Sequence, residues 1–284
     1  MVALLKKIFE FFVYSNFFIA LVAVVMVNYT FAIFHHSSSY ILLLFVFFAT
    51  LCSYSFHWYL SADYSGTNNR LKWTNANNGV LTFFLLLSST PCVYLFFQLG
   101  NVRLWVIMGG LATFIYSAPK IEARPFIWLR TFAVGKTLYL TSVWVFVTVF
   151  LPLLAMETSF DNKEIWFGIN RFFLILPICV LFDRKDRETD LGQGIRNIIY
   201  QLTSKQTGVL LGVCMAIFFF SGFMLFRKNF ISTPSLVLNL SGIVFILLTP
   251  FHTRKPDDLY YYFLLDGLMM LSGAISLGLS LKGL

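Results

Sequence analysis

The chain has 284 residues, 58% of them hydrophobic and 12% charged, with a mean hydropathy of +0.77 and a formal net charge of +8. A soluble domain carries about 25% charged residues and has nowhere to hide this much apolar surface, so the composition excludes an ordinary soluble enzyme, a disordered chain and a nucleic-acid-binding domain. What remains is a polytopic membrane protein, in which the excess of Lys and Arg reads as topology.

A helix needs about 20 apolar residues to span the hydrocarbon core. The apolar runs predict nine spans, over 11–34, 40–60, 79–98, 102–118, 131–152, 165–182, 207–226, 235–250 and 258–280. The runs are near-continuous rather than alternating, which excludes a transmembrane β-barrel. Spans and short loops fill residues 1–284 with a single all-α membrane domain, a bundle of nine transmembrane helices. Lys6 and Lys7 precede the first run as in a signal peptide, but no small-residue cleavage site follows, so this helix reads as retained. Gly100-Asn101 separates the third span from the fourth. Cys52, Cys92, Cys179 and Cys214 are far apart inside apolar runs, which is neither a disulfide framework nor a zinc pattern.

Cytoplasmic loops are enriched in Lys and Arg. With the N-terminus inside, fifteen of the 21 basic residues fall on the inner face and six on the outer. This predicts an odd number of spans, a cytoplasmic N-terminus and a C-terminus outside. It also puts the loops after spans two, four, six and eight on one side.

Those loops hold the polar chemistry. At the end of the second span Ser53, His57 and Ser61 recur at i, i+4 and i+8, one helix face, followed by Asp63 and Arg70. His57 reads either as a ligand or proton carrier, or as a hydrogen-bonded interfacial residue. The fourth span ends in Tyr116-Ser-Ala-Pro-Lys120, with Glu122, Arg124 and Arg130 beyond it. These cations suit an anionic head group, or express the positive-inside rule alone. After the sixth span, Asp183, Asp186, Glu188 and Asp190 fall within eight positions. If the helix continues, Asp183, Asp186 and Asp190 share a face with Arg187. Three carboxylates on one stripe suit Mg²⁺; the alternative is a solvated helix end with Asp–Arg pairs. Asp266 stands alone inside the ninth span, as a bundle-facing hydrogen-bonding group or part of an ion pathway.

Taken together, these features resemble the UbiA superfamily of intramembrane aromatic prenyltransferases over most of the chain. Asp183-x-x-Asp186-x-x-x-Asp190-x-x-x-Gly194 resembles the second Asp-rich motif of that family, and Tyr116-x-x-x-Lys120 its Tyr-x-x-x-Lys signature. Arg70 lies where the family has a basic residue after its first motif, without the usual Pro. The first motif itself, Asn-x-x-x-Asp-x-x-x-Asp, is replaced by Ser53, His57 and Ser61, and Asp63 is off that face. The resemblance implies a UbiA-like bundle in a bacterial inner membrane. It implies transfer of an isoprenyl chain from an isoprenyl diphosphate to an aromatic or lipid-soluble acceptor. Asp183, Asp186 and Asp190 would hold Mg²⁺. Lys120, Arg124 and Arg70, with Tyr116, His57 and Arg187, would bind the substrate. Tyr54, Trp58, Tyr116 and Trp128 would wall an apolar tunnel for the allyl cation. The missing first cluster leaves open a catalytically silent relative that binds an isoprenoid lipid or a partner, and Asp266 a small-molecule or ion transporter.

Overall fold

The computed structural model describes residues 2–61, 69–121, 126, 135–158, 160–192, 197–227, 233–252 and 256–282. These form helices and turns, with no strand among the described residues.

Helices α1 (Val2–Tyr14) and α2 (Phe17–Ile33) meet at 56°, a bend where the sequence predicts one span over 11–34. The break falls at Ser15-Asn16, and Asn16 takes a left-handed conformation with φ 71. Asn is among the few residues that adopt this region readily. Helix α3 (Tyr40–Tyr59) starts at Ser39, whose hydroxyl accepts the Leu42 N–H at 3.3 Å. The short α4 (Asn69–Ala76) leads into α5 (Asn78–Phe96). Gly100, at φ 60, makes the turn from α5 to α6 (Arg103–Ser117), where the sequence predicts the boundary.

Helix α7 (Lys136–Ala155) contains a π-helical turn, Phe146–Phe150. Helix α8 (Asn162–Gly192) runs 31 residues, so Asp183, Asp186 and Asp190 do lie on one continuous helix. Helices α9 (Ser204–Arg227), α10 (Leu240–His252) and α11 (Tyr260–Ser280) complete the chain, and α11 opens with a second π-helical turn, Tyr260–Leu265. Single π turns inside α-helices often mark functional sites.

Among the described residues seven helices are long and apolar enough to cross a membrane, or eight with the bent α1–α2 pair counted as one span. The stretch expected at 235–250 is a shorter apolar helix, Pro234–Pro250, interrupted by a turn at 237–239. Nine is reached only by counting it. Interrupted backbone inside a bundle needs partners from side chains. Here Arg171 Nη2 and Ser272 Oγ both donate to the Leu238 carbonyl, at 3.3 and 3.1 Å, and Tyr29 OH donates to that of Pro234 at 2.6 Å.

Helix α3 packs between α2 and α5, α8 between α7 and α9, and α2 against α11. The last contact is close because of Gly273: a Cβ there would meet Tyr29 Cβ at 2.9 Å and the Val25 carbonyl at 3.1 Å. Leu174, Ile175, Val180 and Leu181 of α8 are fully buried, while Leu86, Phe97 and Leu247 are 65–67% exposed. An apolar outer face of this kind is stable against lipid and unstable against water. The C-terminal ends of α3, α6 and α8 and the N-terminal ends of α7 and α11 gather at one pole of the bundle, around one cavity.

Candidate functional site

The cavity holds about 250 Å³ and has two unlike ends. Phe45, Val106, Leu140, Trp144, Val147 and Met269 line one. His57, Arg70, Lys120, Lys136, Asp183, Asp186 and Asp190 line the other. An ionic pole opening into an apolar slot matches an amphiphile with a charged head and a hydrocarbon tail.

Three clusters build the ionic pole. The first joins α3 to the end of α6. Lys120 Nζ donates to His57 Nε2 at 2.9 Å and to Ser61 Oγ. A lysine has no acceptor, so Nε2 accepts and Nδ1 carries the proton, donating to Ser117 Oγ at 3.1 Å. The imidazole stacks on Tyr116 at 5.4 Å. Ser61 and His57 are thus turned onto one ammonium, and both acceptors are neutral.

The second cluster joins α7 to α8. Lys136 Nζ stands 2.7 Å from Asp190 Oδ2 and 3.8 Å from Asp183 Oδ1. Thr137 Oγ1 donates to Asp183 Oδ2, as does Asn197 Nδ2 at 2.8 Å, and Tyr200 OH donates to Asp190 Oδ2. Burial opposes the charge on Asp190, but Lys136 and the two hydrogen bonds outweigh it and hold the carboxyl below its ordinary range. The same neighbourhood raises the Tyr200 phenol, by burial first, against the pull of Lys136 and with the push of Asp190. On the next turn Asp186 lies 3.6 Å from Lys185, which also pairs with Asp258 at 2.8 Å.

Arg70 is the third. It is 1% exposed, and its guanidinium lies 4.3–5.7 Å from the ring centroids of Trp58, Tyr14, Tyr262 and Trp73. Nη2 donates to Asn16 Oδ1 at 2.7 Å, and the backbone N–H to Asp258 Oδ2 at 2.8 Å. Nε and Nη1 are buried without a hydrogen-bond partner among the described residues. Burial pushes the guanidinium down to about 10, against the raising effect of Tyr262, Tyr14 and nearby carboxylates. The bend at Asn16 is what brings an amide oxygen to this group.

The cavity therefore collects seven of the nine residues expected to act: His57, Arg70, Tyr116, Lys120, Asp183, Asp186 and Asp190. Tyr54 and Trp58 line it as well. Arg187 does not; it is exposed on α8, about 100° around the helix from Asp186. Arg124, and with it Asp63, Trp128 and Gly194, lies outside the described residues.

Lysines and hydrogen-bond donors of the chain stand against all three carboxylates. Among the described residues, no group of three or more His, Cys, Asp and Glu converges as a metal site. Lys136 stands where a cation bridging Asp183 and Asp190 would stand; Thr137 and Asn197 donate to the other oxygen of Asp183, Oδ2, and Tyr200 shares Asp190 Oδ2 with Lys136. A stripe of acids at i, i+3 and i+7 specifies a face but not what the next helix places against it.

Lys136, Asn16, Tyr262 and Asn197 were not legible as site residues. Lys136 reads as one more inner-face cation, although the pair Lys136-Thr137 is a polar interruption at the edge of an apolar run. Asp266 is buried and lines the same cavity. No protein-family model, no curated protein and no solved structure matches this chain.

Proposed function

We propose that this chain is a UbiA-type intramembrane prenyltransferase, threaded nine times with its N-terminus cytoplasmic, that uses an isoprenyl diphosphate and a lipid-soluble acceptor. The observation that carries this reading is the single cavity joining a lysine- and arginine-lined pole to an apolar, aromatic slot. Lys120, Lys136 and Arg70 would take the diphosphate, since fixed cations bind phosphate oxygens through charge-assisted hydrogen bonds. Tyr54, Trp144 and Tyr116 line the path of the chain.

In the proposed reaction the allylic C–O bond breaks and its electron pair leaves with the diphosphate. The cations at the pole stabilise that charge as it develops. Ring faces along the slot stabilise the allyl cation. An acceptor atom then bonds to the allylic carbon and gives up a proton, which the released diphosphate takes. The test is transfer of a labelled isoprenyl group by the purified chain across a panel of donors and lipid-soluble acceptors. A prenylated product is expected from wild type and much less from Arg70→Met. No product with any pair would overturn the enzymatic reading.

A second reading is a catalytically silent isoprenoid-binding relative. It is favoured by the lysines that already compensate the carboxylates and by His57 and Ser61 at the acidic positions of the first motif. Tight binding of an isoprenyl diphosphate without turnover would select it.

A further inference from the structure

The two lysines at the pole are placed alike. Lys120 spends two donors on His57 Nε2 and Ser61 Oγ, and among the described residues no carboxylate lies within ion-pair distance of it. Lys136 donates to Asp190 at 2.7 Å and stands 3.8 Å from Asp183, close enough for an ion pair but beyond hydrogen-bond reach. An ammonium has three N–H groups, so each lysine retains at least one without a hydrogen-bond partner among the described residues, and both side chains line the same cavity. Each is fixed by a small cradle from the neighbouring helix: one of neutral groups, the other of two carboxylates. These are the two places where the resemblance leads one to expect acid-bound metal.

We propose that Lys120 and Lys136 act as built-in cations, so that the site captures a diphosphate without a divalent metal; this rests on the reading above that the cavity takes an isoprenyl diphosphate. The first cradle explains the otherwise odd loss of acids. Mg²⁺ is held by one or two carboxylates with substrate phosphates, and it gives up water reluctantly. Near an ammonium, carboxylates at positions 57 and 61 would cancel the charge meant for the ligand. His57 and Ser61 orient that ammonium and bring no opposing charge to it. The second cradle keeps its acids, and Lys136 lies between two of them, with Asp186 compensated by Lys185. Arg70 adds a third fixed cation whose Nε and Nη1 are unspent. A diphosphate thus meets Lys120 and Arg70, whose side chains pair with no carboxylate among the described residues, and beside them Lys136, whose charge Asp190 and Asp183 already balance.

The experiment is calorimetric titration of the full chain in lipid nanodiscs. The probes are a non-cleavable isoprenyl thiodiphosphate and inorganic pyrophosphate, each in EDTA and in excess MgCl₂. For the thiodiphosphate, wild-type affinity in EDTA is expected within about threefold of that in Mg²⁺. Lys120→Met is expected to weaken it at least about tenfold in EDTA, without rescue by Mg²⁺. A melting curve verifies that this variant is folded, and the wild-type EDTA comparison decides the matter even if it is not. Binding that EDTA abolishes and Mg²⁺ restores in a saturable way overturns metal-free capture and leaves the proposed function standing. No thiodiphosphate binding in either condition overturns the reading of the cavity, and the inference with it. Pyrophosphate binding as tightly as the thiodiphosphate, in EDTA, supports the built-in cations and overturns the lipid tail as part of recognition.

Discussion

Arg70 and Arg171 are 1% and 2% exposed, and each guanidinium faces aromatic rings: four around Arg70, and Phe167, Tyr29 and Phe218 around Arg171. Their donors are used differently. Arg171 gives Nε and Nη2 to Asn170 Oδ1, at 3.1 and 2.6 Å, and Nη2 also to the Leu238 carbonyl. That carbonyl is exposed by the turn before α10, so Arg171 closes a gap in the helical hydrogen bonding. Among the described residues Arg70 makes one side-chain bond, to Asn16, and leaves Nε and Nη1 buried without partners. Burial and aromatic contact are therefore common to the two arginines and do not separate them. The unspent donors do, because an unsatisfied buried donor costs about 1–3 kcal/mol until something accepts from it.

The largest effect expected from this contrast is on folding. Arg171→Met strips the Asn170 amide oxygen and weakens the closure of the turn, and it should cost about 2–3 kcal/mol. Thermal melting in detergent measures the loss, and diphosphate affinity of the surviving folded protein should be unchanged. Arg70→Met should do the reverse. It removes two unpartnered donors along with one good bond, so melting should shift by no more than about 1 kcal/mol, while affinity for an isoprenyl thiodiphosphate falls about tenfold or more. Arg70→Lys should not restore affinity, since an ammonium cannot present the same fork. If Arg70→Met melts early and the folded fraction binds normally, the two arginines are alike and the comparison fails.

Acid sharpens the contrast by a smaller amount. The Asp190 carboxyl lies below its ordinary range, so the fold favours its charged form. Its contribution is present above the unfolded value, about 3.9, and is lost as pH falls through that value toward the lower folded one. Asp190→Asn should therefore melt earlier than wild type at neutral pH and converge with it in acid. The deficit of Arg171→Met should stay constant over the same window, because among the described residues no carboxylate pairs with Arg171. A parallel convergence for Arg171→Met would mean that its neighbourhood titrates too.

Much of this architecture is legible in the chain. Apolar runs locate the helices, and the i, i+3, i+7 acids locate the face of α8 that meets the cavity. What is not legible is pairing across helices. Lys136 and Asp190 are 54 residues apart, and nothing in the period of either helix says that they touch. Periodicity orients a face; packing of one helix on another chooses its partner. Asn16 shows the same limit locally. Ser15-Asn16 is a visible polar break in the first run, but the 56° bend follows from a left-handed residue that the apolar pattern alone does not require. The turn before α10 is a third case: its backbone is tolerable because Arg171, Ser272 and Tyr29 arrive from other helices.

Asn16 also offers the mildest and most direct way to convert one arginine into the other. Asn16 Oδ1 accepts from Arg70 Nη2 at 2.7 Å, and its amide nitrogen reaches Ser55 Oγ at 3.4 Å. Asn16→Asp keeps the shape and tolerates φ 71, since Asp shares the tolerance of Asn for the left-handed region. It replaces a neutral acceptor by a carboxylate, so Arg70 acquires an ion pair and becomes a structural group like Arg171. Melting should hold or rise. Affinity for the isoprenyl thiodiphosphate should fall about threefold, because the incoming phosphate meets a charge already partly neutralised. Asn16→Asp in the Arg70→Met background should have no further effect on affinity, which calorimetry of the two variants and their combination measures. An effect of Asn16→Asp that persists without Arg70 would mean that the carboxylate repels the ligand directly, and that Arg70 is not the group through which Asn16 acts.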